Sequence, residues 1–131
     1  MKRAFISLAL LMVSGVLIGM ASAQRPIRIQ FAKGASSTVV KGSTGSTGTT
    51  YVLRAKSGQK IVIDLAPTSR VGIKVEHDGR FGQEVVLREE RGGHYEIGLE
   101  ESGDYTIFIG STSGKPVNFS MTVRITKMTD I

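Results

Sequence analysis

The stretch from Val117 to Ile125 reads VNFSMTVRI, with an apolar side chain at every second position. Alternation of this kind over nine residues is typical of a β-strand that buries one face. The same period of two recurs in seven further runs along the chain. They are Ile27 to Phe31, Tyr51 to Ala55, Ile61 to Leu65, Val71 to Val75, Val85 to Arg88, His94 to Ile97 and Tyr105 to Ile109.

Turn-forming residues separate these runs, and no window of helix length keeps the 3.6-residue period. Because so many short strands cannot lie in one flat sheet, we predict an all-β antiparallel sandwich, jelly-roll-like, of about eight or nine strands. Gly58-Gln59 predicts a hairpin turn after one strand. The segment from Gly42 to Thr50, GSTGSTGTT, has no apolar residue and predicts a flexible loop.

The N-terminal segment has the order of a secretory signal. Lys2 and Arg3 precede an apolar run from Ala4 to Met20, and the small residues of 21–23, ASA, follow it. We therefore predict a signal peptide over residues 1–23 and one β-sandwich domain over 24–131. The predicted location is the periplasm or the extracellular space, with no membrane span after cleavage.

Composition removes several kinds of chemistry. The 131 residues include no Cys, which excludes disulfides, thiolate zinc sites, iron–sulfur clusters and a nucleophilic thiol. Only two histidines are present, His77 and His94, and we expect both in surface loops beside turn residues. No nucleophile elbow, phosphate loop, dinucleotide fingerprint or calcium loop occurs. The sequence predicts no catalytic residues, no cofactor, no metal and no nucleic-acid partner.

Charge is divided along the chain. Residues 76–104 carry nine acidic and three basic side chains, a formal charge of −6, whereas the rest of the predicted mature chain carries +10. If the fold separates these segments, one acidic and one basic region result. Pairing of opposite charges across neighbouring strands is the alternative.

Three stretches resemble landmarks of a known family. Residues 31–37 (FAKGASS), 51–60 (YVLRAKSGQK) and 101–107 (ESGDYTI) resemble those of the periplasmic inhibitors of g-type and i-type lysozymes, and of the related bacterial pre-peptidase C-terminal domain. Both groups are β-sandwiches. The resemblance covers essentially the whole predicted mature chain.

The resemblance also implies a site. It implies that Ser102 and Tyr105 of the loop Ser102-Gly103-Asp104-Tyr105 enter the lysozyme cleft, with Gly103 allowing the tight backbone. A second loop, with Ser111, Ser113 and Lys115, is the candidate for a further contact. For Tyr105 a place in the core, at the start of an inward face, is the alternative.

Two functions follow from the resemblance. The first is an exported, non-enzymatic lysozyme inhibitor that protects peptidoglycan, with g-type or i-type lysozyme favoured over c-type as the partner. The acidic residues beside Ser102 would steer encounter with a basic lysozyme. The second is a non-catalytic binding module of the pre-peptidase C-terminal type, with a glycan or a protein as its ligand. The sequence does not indicate an oligomeric state.

Overall fold

The computed structural model describes residues 25–45, 47–79 and 82–128. Within these ranges the chain forms nine β-strands and no helix. The strands are β1 (Ile27–Arg28), β2 (Ser37–Thr44), β3 (Thr49–Ala55), β4 (Gln59–Ala66), β5 (Val71–Gly79), β6 (Gly82–Glu89), β7 (Gly93–Gly98), β8 (Gly103–Ser111) and β9 (Val117–Lys127). The predicted signal peptide lies outside the described residues, among which no helix is long and apolar enough to cross a membrane.

The strands form two sheets. One has the order β1-β3-β8-β5-β6 and the other the order β2-β9-β4-β7. Every pairing is antiparallel except that of β1 with β3. The prediction of an all-β sandwich with about eight or nine strands is confirmed.

Consecutive strands alternate between the two sheets from β2 to β9, apart from the β5–β6 hairpin. The hairpin predicted at Gly58-Gln59 is therefore wrong, because β3 and β4 lie in different sheets. The residues between them form an arch that crosses the sandwich. A turn signal marks where the chain reverses, but it does not determine whether the next strand pairs with the last one or faces it.

The core lies between the inward faces of the two sheets. In β8 the inward side chains are those of Tyr105, Ile107 and Ile109, as the alternation predicted. The strand β9 opposes them with four buried side chains. These are Val117, Phe119, Met121 and Val123. Removing such apolar area from water is the main source of stability in a domain without disulfides.

Residues 42–44 and 49–50, within the predicted flexible loop, belong to strands. Gly42 and Thr44 belong to β2, which pairs with β9 through Thr44, and β3 begins at Thr49. The connection is thus limited to residues 45–48. Gly42 lies so close to the core that a methyl group there would come within 2.9 Å of the Tyr51 hydroxyl and 3.0 Å of Phe119 Cζ. Conversely, β1 is shorter than the predicted strand, which extended to Phe31.

The order of strands places most of the acidic segment on one side of the sandwich. The edge strands β6 and β7 end their respective sheets and line one groove together. Glu84 and Glu89 lie on β6, Glu96 lies on β7, and Glu100 and Glu101 follow β7. Pairing across strands occurs as well, since Glu96 on β7 binds Lys60 on the neighbouring β4.

Candidate functional site

Two arches meet at one end of the sandwich. Residues 56–58 carry the chain from β3 to β4, and residues 99–102 carry it from β7 to β8. The amide of Gly58 donates to the carbonyl of Leu99 at 3.0 Å, and the amide of Leu99 donates to the carbonyl of Gln59 at 2.9 Å. These bonds join the two arches into one surface, which we call the Ser102 end.

The hydroxyl of Ser102 ties the arches together at the surface. Its Oγ accepts a hydrogen bond from the amide of Ser57 at 2.9 Å, and the residue is exposed. A serine hydroxyl has one proton to donate and two lone pairs. With one lone pair used by Ser57, its proton is available to an acceptor outside the chain.

Tyr105, in contrast, points inward. It is 2% exposed, and its hydroxyl donates to the carbonyl of Glu101 at 2.6 Å. Burial raises its pKa, and the nearby Glu101 carboxylate raises it further. Ser102 and Tyr105 therefore lie close together, but only Ser102 faces solvent. The hydroxyl of Tyr105 supports the arch from the core side through its bond to the Glu101 carbonyl.

Gly103 and Asp104 complete the loop. Gly103 has a φ of +144°, a backbone conformation that other residues rarely adopt. Asp104 begins the outward face of β8, where its carboxylate binds Arg28 at 3.3 Å and Arg54 at 3.7 Å. Because these side chains are largely exposed, the ion pairs contribute little to stability.

His77 lies beneath this end, in a place that the sequence analysis missed. The expectation of a surface loop is wrong, because β5 continues to Gly79 and His77 is 3% exposed. Its ring stacks on that of Tyr105, with centroids 4.4 Å apart. The signal was present in the sequence, since the inward alternation of Val71, Ile73 and Val75 continues to position 77.

The second candidate loop is at the other end of the molecule. Ser102 immediately precedes β8 and Ser111 is its last residue, so about 30 Å of strand separates them. Within the loop, Ser111 Oγ donates to the carbonyl of Lys115 at 2.6 Å, and Ser113 Oγ accepts from the Lys115 amide at 3.3 Å. The structure does not bring Ser111, Ser113 and Lys115 together with Ser102.

His94 lies on the solvent side of β7, as a surface residue, in a cluster of charges. Its Nδ1 lies 2.7 Å from Asp64 Oδ1, and its Nε2 lies 2.8 Å from Glu96 Oε2. The bonds to Glu96 and Asp64 raise the pKa of His94. Bonds from Lys60 and His94 lower the pKa of Glu96 to about 2. Across the described ranges, no group of three or more His, Asp or Glu side chains could hold a metal ion.

Solved structures show which fold class this chain belongs to. A scan against protein-family models and a search of curated proteins find no match. The pre-peptidase C-terminal domain of a Bacillus anthracis collagenase matches with a TM-score of 0.53 and 16% identity, over 77% of this chain and 94% of that chain. The chain therefore has the β-sandwich fold of that class of bacterial domain.

Similarity to one group of structures is stronger. PliG of Aeromonas hydrophila, a periplasmic inhibitor of g-type lysozyme, matches with a TM-score of 0.67 and 31% identity, over 76% of this chain and 95% of that chain. PliG of Salmonella Typhimurium matches with a TM-score of 0.59 and 22% identity, over 76% of this chain and 96% of that chain. The chain belongs to the PliG family of periplasmic lysozyme inhibitors.

Proposed function

We propose that this chain is an exported inhibitor of g-type lysozyme that acts in the periplasm and catalyses no reaction of its own. The observation that carries the proposal is the 31% identity that extends over 95% of the Aeromonas inhibitor. The predicted signal peptide of residues 1–23 agrees with the proposed location. Residues 24–131 would then form the single mature domain.

The proposed contact surface is the Ser102 end. Muramidases cleave glycosidic bonds with carboxyl side chains in an open cleft. The free proton of the Ser102 hydroxyl suits a hydrogen bond to such a carboxylate, and hydrogen bonds to charged groups are the stronger ones. Since Ser102 is already bonded to Ser57 and the two arches are joined, little conformational entropy is lost when a partner binds.

In this proposal Ser102 and Gly103 are the tip of the inserted loop, and Tyr105 is a positioning residue. Its bond to the Glu101 carbonyl and its stack on His77 hold the arch in place from inside the core. Tyr105 itself is too deeply buried to supply much contact area. This role agrees with the inward direction of Tyr105 on β8. It also agrees with the functional importance that the family resemblance implies for this tyrosine.

The test is lysis of a peptidoglycan suspension by c-type, g-type and i-type lysozymes, each with and without the purified chain. We expect selective inhibition of the g-type enzyme. We expect Ser102→Ala to weaken it by about tenfold, the cost of one hydrogen bond to a charged group. Ser113→Ala is the matched control, because Ser113 Oγ also accepts one backbone N–H bond in an exposed arch, at the opposite end.

Two results would overturn these proposals. If no class of lysozyme is inhibited at micromolar protein, the inhibitor function is wrong, and a binding module for a glycan or another protein replaces it. If Ser113→Ala weakens inhibition and Ser102→Ala does not, the far loop makes the contact.

A further inference from the structure

A groove opens beside the Ser102 end, where the edge strands β6 and β7 face each other. It has a volume of about 390 Å³. Its lining comes from β5, β6, β7, the arch that follows β7, and the start of β8. Glu84 and Val86 come from β6, Ile97 from β7, and Leu99, Glu100 and Glu101 from the arch that follows β7.

The floor of the groove is apolar and its rim is acidic. Val86, Ile97 and Leu99 supply the apolar surface, and the carboxylates of Glu84 and Glu100 are exposed above it. Among the described residues, neither carboxylate forms an ion pair. Glu96 is different, because Lys60 and His94 already bind it.

His77 lies beneath the groove and is 3% exposed. Its Nδ1 lies 3.9 Å from Glu101 Oε1, whereas its buried Nε2 has no hydrogen-bond partner in the described part of the chain. Buried side-chain nitrogens are nearly always bonded in folded proteins. The groove therefore has two exposed carboxylates without an ion-pair partner among the described residues, above a buried histidine nitrogen that lacks a hydrogen bond there.

We propose that this groove receives a basic side chain of the lysozyme, an arginine or a lysine, when the Ser102 end binds. An arginine fits the lining well, because its stem and guanidinium plane pack on apolar surface while its N–H groups reach carboxylates. Glu101 joins the two surfaces, since its carbonyl holds Tyr105 and its side chain lines the groove. This inference rests on the proposed inhibitor function and extends it to a charge-specific contact.

The test compares two variants with the same change in net charge. Glu84→Gln/Glu100→Gln neutralises the two exposed carboxylates of the groove that form no ion pair among the described residues, whereas Glu89→Gln/Glu90→Gln neutralises two exposed carboxylates at the other end of β6. Dissociation constants for g-type lysozyme are measured for both variants and the unchanged chain at low and high salt. We expect the groove variant to bind at least about tenfold more weakly and to lose much of its salt dependence. The control variant should stay within about threefold of the unchanged chain.

The outcomes separate this inference from the proposed function. If the unchanged chain binds lysozyme and the two variants weaken equally or not at all, the groove proposal is wrong and the inhibitor proposal stands. If the unchanged chain does not bind lysozyme, the inhibitor proposal fails. Cation binding in the groove is then tested by NMR titration of the unchanged chain with argininamide. Shifts of the Val86 and Ile97 methyl signals that vanish in the groove variant support a cation site, and their absence overturns it.

Discussion

The rings of Tyr105 and His77 stack in the core at a centroid distance of 4.4 Å, with their planes inclined by 22°. The hydroxyl of the same tyrosine reaches the carbonyl of Glu101 on the arch above. One side chain thus connects β8, β5 and the Ser102 end. The shape of a surface loop depends here on a contact inside the sandwich.

Replacing Tyr105 by Phe tests this connection. Tyr105→Phe keeps the stacked ring and removes the bond to Glu101. We expect about 1 kcal/mol less stability in urea unfolding and severalfold weaker inhibition of lysozyme. Tyr95→Phe is the matched control, because its hydroxyl also donates to the carbonyl four residues earlier, that of Arg91, at 2.6 Å. The control should lose similar stability and keep full inhibition. Equal loss of inhibition in both variants would contradict a positioning role.

The backbone at Gly103 is the second testable feature. Gly103→Ala adds a methyl group at a φ of +144°, 3.2 Å from His77 Nε2. Gly93→Ala adds one at a φ of +147° with only an ordinary contact, 3.6 Å from the Tyr95 hydroxyl. Both should destabilise by on the order of 1–3 kcal/mol through backbone strain. We expect Gly103→Ala to lower the free energy of unfolding more than Gly93→Ala does. The measurement is the difference between the urea midpoints of the two variants. If the two substitutions lower the free energy of unfolding equally, the His77 ring moves aside without an energetic penalty and does not support the arch.

The charge cluster at His94 predicts a pH dependence. The folded state raises the pKa of His94, so its contribution is complete below about 6.5 and declines as the pH rises through the folded value. The folded state lowers the pKa of Glu96 to about 2, so its contribution is complete above about 4.5 and declines toward pH 2. Their joint contribution is therefore largest between about pH 4.5 and 6.5.

The free energy of unfolding is measured as a function of pH for two variants. One tests the decline at alkaline pH and the other tests the decline at acid pH. His94→Gln should remove the decline on the alkaline side. Lys60→Gln should reduce the decline on the acid side, since the Lys60 ammonium is the main cause of the low pKa of Glu96. The changes should be small because His94 and Glu96 are exposed and Lys60 is partly exposed. A profile that keeps its alkaline limb in His94→Gln would assign the effect to other groups.

The order in segment 42–50 gives a further prediction. A methyl group in Gly42→Ala meets the Tyr51 hydroxyl and the Phe119 ring, which pack edge to face with centroids 6.2 Å apart. We expect a loss of about 1–3 kcal/mol from this overpacking, measured by thermal or urea unfolding. In Gly45→Ala the added methyl group meets no described atom within 4 Å beyond its chain neighbours, so this variant should be neutral or slightly stabilising. Equal behaviour of the two variants would mean that β2 does not lie against the aromatic pair.

Sequence alternation was sufficient to predict the fold class and the inward faces of β8 and β9. It missed β2, because its residues from Gly42 onward are glycine, serine and threonine without apolar side chains. A strand of this kind is held by backbone bonds to β9, and backbone bonding leaves no pattern in the sequence. The hydrogen bonds between the two arches at the Ser102 end could not be predicted either, because they depend on which sheet each strand joins.

The candidate site was predictable only in part. The resemblance identified Ser102, Gly103 and Tyr105, and the structure places Ser102 outward and Tyr105 inward. The direction of Tyr105 follows from the same alternation that defines β8. The separation of Ser113 from Ser102 follows from the length of β8. The groove between β6 and β7 could not be anticipated, because it forms from edges of two different sheets.

The position of β9 has a consequence for how the molecule folds. This strand pairs with β2 from Ser37↔Arg124 to Thr44↔Val117 and with β4 from Gln59↔Lys127 to Ala66↔Ser120. Because β9 follows β2, β4 and β7 in the chain, the sheet that these three strands form has a gap between β2 and β4 until β9 is available. Such long-range closure makes folding slow. A nascent chain of this topology cannot complete its sandwich until β9 is available to join β2 to β4.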